Sequence, residues 1–142
     1  MVNNILEKII NKKKKRLNEI KKFISIESLK DKITENNFFI NFKEKIKKNS
    51  IKEKISLIAE IKKASPSAGI IIKDYNPVDL AKKYYEHNAT CLSILTEEDF
   101  FQGNLIHLNK IKKKIHLPVL CKDFFIDPFQ IYLAKSYGAD AI

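Results

Sequence analysis

The chain has no tryptophan, two cysteines and three glycines in 142 residues, and none of its apolar runs is long. Each scarcity removes a class of protein. Two cysteines, Cys91 and Cys121, cannot build a disulfide framework, and neither has a partner at metal-ligand spacing. Both sit in short β-like runs and read as buried, reduced thiols. His87, His107 and His116 form no metal motif and are assigned no chemistry. No apolar stretch approaches the ~20 residues of a membrane helix. The opening residues, MVNNILEKIINKKKKRL, hold neither the apolar run nor the small-residue cleavage site of a signal peptide, so the expectation is a soluble cytoplasmic protein. Acidic residues are the scarcer charge, with 17 Asp and Glu against 27 Lys and Arg, a net charge of +10.

That excess of cations suits either a nucleic acid or a small anionic substrate. Much of it lies in lysine runs, Lys12 to Arg16 and Lys112 to Lys114. The first run falls in a helix-like segment whose Leu6, Ile9, Ile10, Leu17, Ile20 and Ile24 lie near one face, so its lysines read as a solvated face. No aromatic-rich RNA-binding signature or paired Cys/His module accompanies them. Nucleic-acid binding is therefore the weaker reading.

Hydrophobic content of 44% is enough for a core. The texture changes near residue 50. Residues 1–50 are rich in Lys, Asn and Ile and predict amphipathic helices over 3–24, 27–34 and 38–48, a helical extension without a strand. Residues 51–142 predict strand, loop and helix in alternation. The strands are ISLIAEIKK, ATCLSILT and LPVLCKDF, and a fourth begins at ADAI. ASPSAGIIIKDY reads as a loop. Asn76-Pro77 and Asp127-Pro128 open helices with a capping side chain followed by proline at a position that needs no N–H. Asn104 caps the helix between them, and Gly138 suits a helix C-terminus needing positive φ.

Strands alternating with helices imply a parallel sheet, closed either as a doubly wound sheet or as a (β/α)₈ barrel. The first turn, KASPSAG, is not a G-x-G-x-x-G dinucleotide loop. Polar residues gather instead at the C-terminal ends of successive strands: Glu60 and Lys62, Thr96 and Glu97, Lys122 and Asp123. Barrel enzymes assemble their sites there. A barrel takes about 200 residues or more, so these 142 read as three and a half βα units, incomplete at GADAI.

Alternation along the first strand places Ile58, Glu60 and Lys62 on one face and Leu57, Ala59 and Ile61 on the other. On the third strand Leu120 and Lys122 share a face, with Val119 and Cys121 on the helix side. Both strands thus aim charge inward, and an inward cluster of two lysines and a carboxylate needs either mutual pairing or an anionic ligand.

LIAEIKKASPSAG, LSILTEEDFFQGN, LPVLCKDFFIDPFQIYLAKSYGADAI and the opening NILEKIINKKKKRL resemble the indole-3-glycerol phosphate synthase family, in order and along essentially the whole chain. The resemblance implies an α/β protein of the (β/α)₈ TIM-barrel family, preceded by helices lying across the mouth of the site. It implies a carboxy-lyase of tryptophan biosynthesis. The reaction closes the ring of 1-(2-carboxyphenylamino)-1-deoxyribulose 5-phosphate to give indole-3-glycerol phosphate, with loss of carbon dioxide and water and with no metal or organic cofactor. Position by position, Lys122 matches the catalytic general acid and Glu60 the carboxylate that organises lysines and substrate. Lys62 matches a lysine that binds anionic groups and assists proton transfer. Ser65 and Pro66 match the loop near the anthranilate end; Leu95, Phe101 and Phe124 match the walls around the aromatic ring. Ala68 departs from the family's SPSKG, removing one cation near the entrance. The family's later strands carry a further carboxylate, an asparagine and the phosphate loops, so the expectation is inactivity of these residues alone or activity with a complementing half. Continuation into a fused phosphoribosylanthranilate isomerase is left open. The alternatives are another phosphosugar-binding barrel enzyme, a non-catalytic basic protein that binds nucleic acid, and a non-functional remnant.

Overall fold

In the computed structural model, which describes residues 4–35 and 38–142, three parallel strands follow one another across a sheet in chain order. They are β1 (Ile58–Ile61), β4 (Cys91–Leu95) and β5 (Val119–Lys122). Between them come a short antiparallel hairpin, β2 (Ala64–Ser65) with β3 (Gly69–Ile70), and the crossover helices α4 (Pro77–Glu86) and α5 (Ile106–Lys112). Helix α6 (Phe129–Ser136) follows β5, and Ala141 then bridges Leu120 in parallel, opening the expected fourth strand. The hairpin replaces the plain loop read from ASPSAGIIIKDY. Ser65 accounts for it, since its hydroxyl accepts from the Ala68 amide at 3.2 Å and tightens the turn.

Register decides which side of the sheet each side chain takes. Ala59 lies beside Leu92 and Ile61 beside Ile94; Leu92 and Ile94 in turn lie beside Val119 and Cys121. All six pack in one core with Ala81 of α4, Leu108 and Ile111 of α5, and Ala134 of α6. The three helices therefore cover the same face. A doubly wound sheet places helices on both faces, so these units follow the one-sided arrangement of a barrel wall. Burial leaves the thiols inert, with Cys91 pushed up to about 11 and Cys121 to about 12.

The helix starts follow the chemistry of their caps. Asn76 Oδ1 accepts from the Val78 and Asp79 amides, with Pro77 at the first helical position. Asn104 Oδ1 accepts from Ile106 and Asp127 Oδ1 from Phe129. Gly138, at φ +100°, ends α6.

The extension contains α1 (Ile5–Lys21), α2 (Ile26–Glu35) and α3 (Phe42–Ile51), close to the three helices expected; residue 3, where the first was expected to begin, lies outside the described residues. Their placement corrects the expectation that they lie together across the mouth of the site. Only α1 reaches the C-terminal ends of the strands. Helix α2 packs along α6, where Leu29 joins Leu17, Phe129 and Leu133 in a second apolar cluster. Helix α3 lies at the opposite end: Asn49 Nδ2 donates to the Thr90 hydroxyl at 3.2 Å, and Thr90 precedes β4. The cause is visible in the sequence. Helix α3 fully buries no residue and only half-buries Phe42 and Ile46, and its polar contact to Thr90 lies at the N-terminal end of the sheet.

Candidate functional site

The face opposite the core carries Ile58, Glu60, Ser93, Leu95, Leu120 and Lys122, as alternation requires. Toward the C-terminal end it becomes charged. Glu60 is the hub. Its Oε2 accepts from Lys122 Nζ at 2.6 Å and its Oε1 lies 2.7 Å from Lys62 Nζ, so each carboxylate oxygen holds one lysine. Partial burial alone would raise the Glu60 carboxyl. The hydrogen bonds and positive charge of Lys122 and Lys62 outweigh it and hold the group below its ordinary value. The cluster stays in contact with solvent, with the Lys122 side chain 54% exposed and that of Glu60 29%.

A concavity of about 260 Å³ opens above this cluster. Its wall consists of Glu60, Lys62, Leu95, Phe101, Lys122, Asp123 and Phe124. Six of the eight residues singled out in the sequence thus meet in one place. Phe101 and Phe124 face each other with ring centroids 6.1 Å apart and form an apolar side to a charged floor. Such a hollow accommodates a ligand with a flat apolar part and anionic groups. Ser65 and Pro66 do not line it; they form the β2–β3 turn, where the Ser65 hydroxyl is engaged within the loop. Among the described residues, no group of three or more His, Cys, Asp or Glu is placed to hold a metal ion.

Three residues without an assigned role build the rim. Glu97 is buried, and its carboxylate accepts from the amides of Asp99, Phe100 and Phe101 at 2.7–3.1 Å, fixing the loop that presents Phe101. Gly103 closes that loop: a Cβ there would stand 2.4 Å from the Leu95 carbonyl oxygen, so only glycine permits the approach. Asp123 accepts from the Thr96 hydroxyl at 2.8 Å and pairs with Lys13 of α1 at 2.8 Å. The lysine run Lys12 to Arg16 is consequently only in part the solvated face expected of it, with Lys12, Lys14 and Lys15 exposed. Lys13 is buried, Lys12 and Arg16 bind Asp99, and Arg16 also lies 3.6 Å from Glu98. A composition-based reading cannot find these pairs, because the partners stand more than 80 residues apart.

A one-sided parallel βα sheet, with charge gathered at the C-terminal strand ends beside an aromatic wall, defines the class: an α/β protein with a hollow at the edge where barrel enzymes build their sites. The comparisons with known proteins then narrow it. Residues 6–142 match the family model described as indole-3-glycerol phosphate synthase. A protein of that name from Trichodesmium erythraeum (strain IMS101) is 43% identical over 139 residues, covering 98% of this chain and 46% of the relative. One from Prochlorococcus marinus (strain MIT 9215) is 46% identical over 139 residues, with the same coverage. The "Tryptophan biosynthesis protein TrpCF" of Buchnera aphidicola subsp. Diuraphis noxia is 45% identical over 143 residues, 100% of this chain and 30% of that protein. The chain belongs to the indole-3-glycerol phosphate synthase family, and it spans about half the length of the first-named relatives.

Proposed function

We propose that this chain supplies the N-terminal part of an indole-3-glycerol phosphate synthase: a helical extension, residues 1–50, and the first part of a (β/α)₈ barrel, residues 51–142. The activity is the decarboxylating ring closure of 1-(2-carboxyphenylamino)-1-deoxyribulose 5-phosphate, a cytoplasmic step of tryptophan biosynthesis. The observation that carries this reading is the convergence of Lys122, Glu60 and Lys62, from two strands, on the floor of one hollow walled by Phe101 and Phe124.

The geometry suits the chemistry. Ring closure requires a proton donor at the substrate's carbonyl oxygen, and Lys122 is an exposed ammonium held at one point by Glu60. Two ammoniums and one carboxylate leave a net positive floor, which attracts a sugar phosphate bearing a carboxylate. Lys62 supplies the second ammonium and contacts anionic substrate groups. Leu95, Phe101 and Phe124 stack against the anthranilate ring, and Ser65 and Pro66 flank it from the hairpin. Because the charges are fixed before substrate arrives, they act on the transition state without reorganising.

The rest of the site is supplied by barrel units beyond those described, so the 142 residues alone are inactive and a complementing half restores turnover. The test is to co-fold the chain with the C-terminal remainder of the Trichodesmium relative and assay indole-3-glycerol phosphate formation. Activity is expected in the wild-type assembly, with Lys122→Ala lowering kcat by about 10²–10⁴-fold while the folded state persists. No product from the wild-type assembly, or near-normal kcat in the variant, rejects the reading. Steeply salt-dependent DNA binding would instead favour a nucleic-acid role; the pairing of Lys12, Lys13, Arg16 and Lys112 with carboxylates speaks against it. Among the described residues no helix is long and apolar enough to cross a membrane.

A further inference from the structure

The hollow contains four charged side chains, not three. Lys62 and Lys122 are cationic, Glu60 and Asp123 anionic, so the wall by itself is neutral. The fifth charge comes from outside the sheet. Lys13 of α1 reaches Asp123 with Nζ 2.8 Å from Oδ1, and the side chains of the pair are only 5% and 8% exposed. The other carboxylate oxygen of Asp123 is occupied by the Thr96 hydroxyl, and Oδ1 also accepts from the Phe124 amide at 2.7 Å. Glu98 lies 3.3 Å from the same Nζ and shares the lysine.

We infer that Lys13 is a positioning residue of the site: by engaging Asp123 from behind, it keeps that carboxylate off its neighbour Lys122 and offsets its charge beside the hollow. This rests on the role proposed above for Lys122. Two features support it. Asp123 follows Lys122 directly in the chain and lines the same wall, so a free carboxylate there would compete with Glu60 for the Lys122 ammonium and repel an anionic substrate. Burial opposes the charge on Lys13, but Asp123 and Glu98 outweigh it and raise its ordinary value, so the lysine stays charged throughout the neutral range. The N-terminal extension thereby reaches the chemistry without entering the cavity.

A charge cycle tests this. In the co-folded assembly, Lys13→Met should lower kcat/KM by about tenfold or more, with KM raised and kcat reduced. Lys13→Arg should recover most of the loss. The double variant Lys13→Met/Asp123→Asn should outperform Lys13→Met alone, because Lys13 is dispensable once the charge it neutralises is gone. A merely structural lysine predicts the opposite, each substitution adding to the damage. Lys13→Met within twofold of wild type, or a double variant no better than the single, overturns the inference. In the 142-residue chain itself, the NMR resonance of the Lys122 ammonium should move in Lys13→Met and return in Lys13→Arg; an unmoved resonance overturns the inference too. If the wild-type assembly makes no product, the proposed function fails, and the NMR measurement still decides the role of Lys13.

Discussion

Each end of the sheet holds a buried lysine–aspartate pair, and the two ends use it differently. At the N-terminal end, Lys112 binds Asp140 at 2.6 Å, and Asp140 also accepts from the amides of Val119 and Ile40. The side chains are 7% and 0% exposed. Both carboxylate oxygens are engaged, the hollow beside the pair, lined among the described residues by Phe38, Asn109, Lys112, Lys113 and Tyr137, holds no carboxylate, and the pair ties the extension to the start of the fourth strand. At the C-terminal end, Lys13–Asp123 is nearly as buried but borders an open cavity whose own charges remain in contact with solvent. The same ion pair closes structure at one end and tunes a site at the other. Burial of the partners does not separate these roles; what lies next to them does.

The comparison can be broken from either side. The largest effect on stability should come from Asp140→Ala, which strands the Lys112 ammonium and two amides: a loss of about 3–5 kcal/mol in urea unfolding of the chain. A loss below about 1 kcal/mol would mean the N-terminal pair is not structural. On the site side, Lys62→Ala in the co-folded assembly should raise KM about tenfold, with a smaller change in kcat, since its role is uniform attraction of an anion; an unchanged KM would reject that contact. Smaller still is a pH effect at Glu60. Its carboxyl is held below 4.5 in the folded chain, so its stabilisation is present above pH 4.5 and fades as pH falls through the lowered folded value. Melting temperatures from pH 6 to 3 should therefore fall less for Glu60→Gln than for wild type. Identical slopes would mean that the carboxylate gains nothing from its lysines. Least affected should be Lys12→Ala, which removes an exposed bridge to Asp99 and should cost at most about 0.5 kcal/mol.

What could be read from the sequence was what is local. Alternation assigned the faces of Ile58 to Ile61 correctly, because the side-chain period in a strand is two whatever the context, whereas Leu57, expected on the helix side, precedes the strand and is exposed. Asn76-Pro77, Asp127-Pro128 and Gly138 marked helix boundaries, because capping is decided within a few residues. Gathering polar residues at strand ends located the hollow. The rest depended on distant partners. Spacing does set Lys13 apart from Lys14 and Lys15, since it stands four residues from both Ile9 and Leu17 on the apolar face of α1; its partner Asp123, 123 − 13 = 110 positions later, could not be read from that spacing. Helix α3 likewise had only a short apolar stripe, Phe42 and Ile46, which did not name its neighbours, and its place at the N-terminal end shows in the polar contact between Asn49 and Thr90.

The bracket formed by Glu97 and Gly103 sets how freely this rim can be redesigned. Three amides converge on one carboxylate, and the chain returns within contact of Leu95, so the segment has a fixed length and insertions in it would pull the Phe101 ring out of line. The hairpin on the neighbouring strand has no such buried anchor: residues 66–70 are exposed, and its turn is held by serine hydroxyls above a short backbone ladder. Library mutagenesis aimed at new ligand preference should therefore vary residues 66–68 and leave 97–103 untouched.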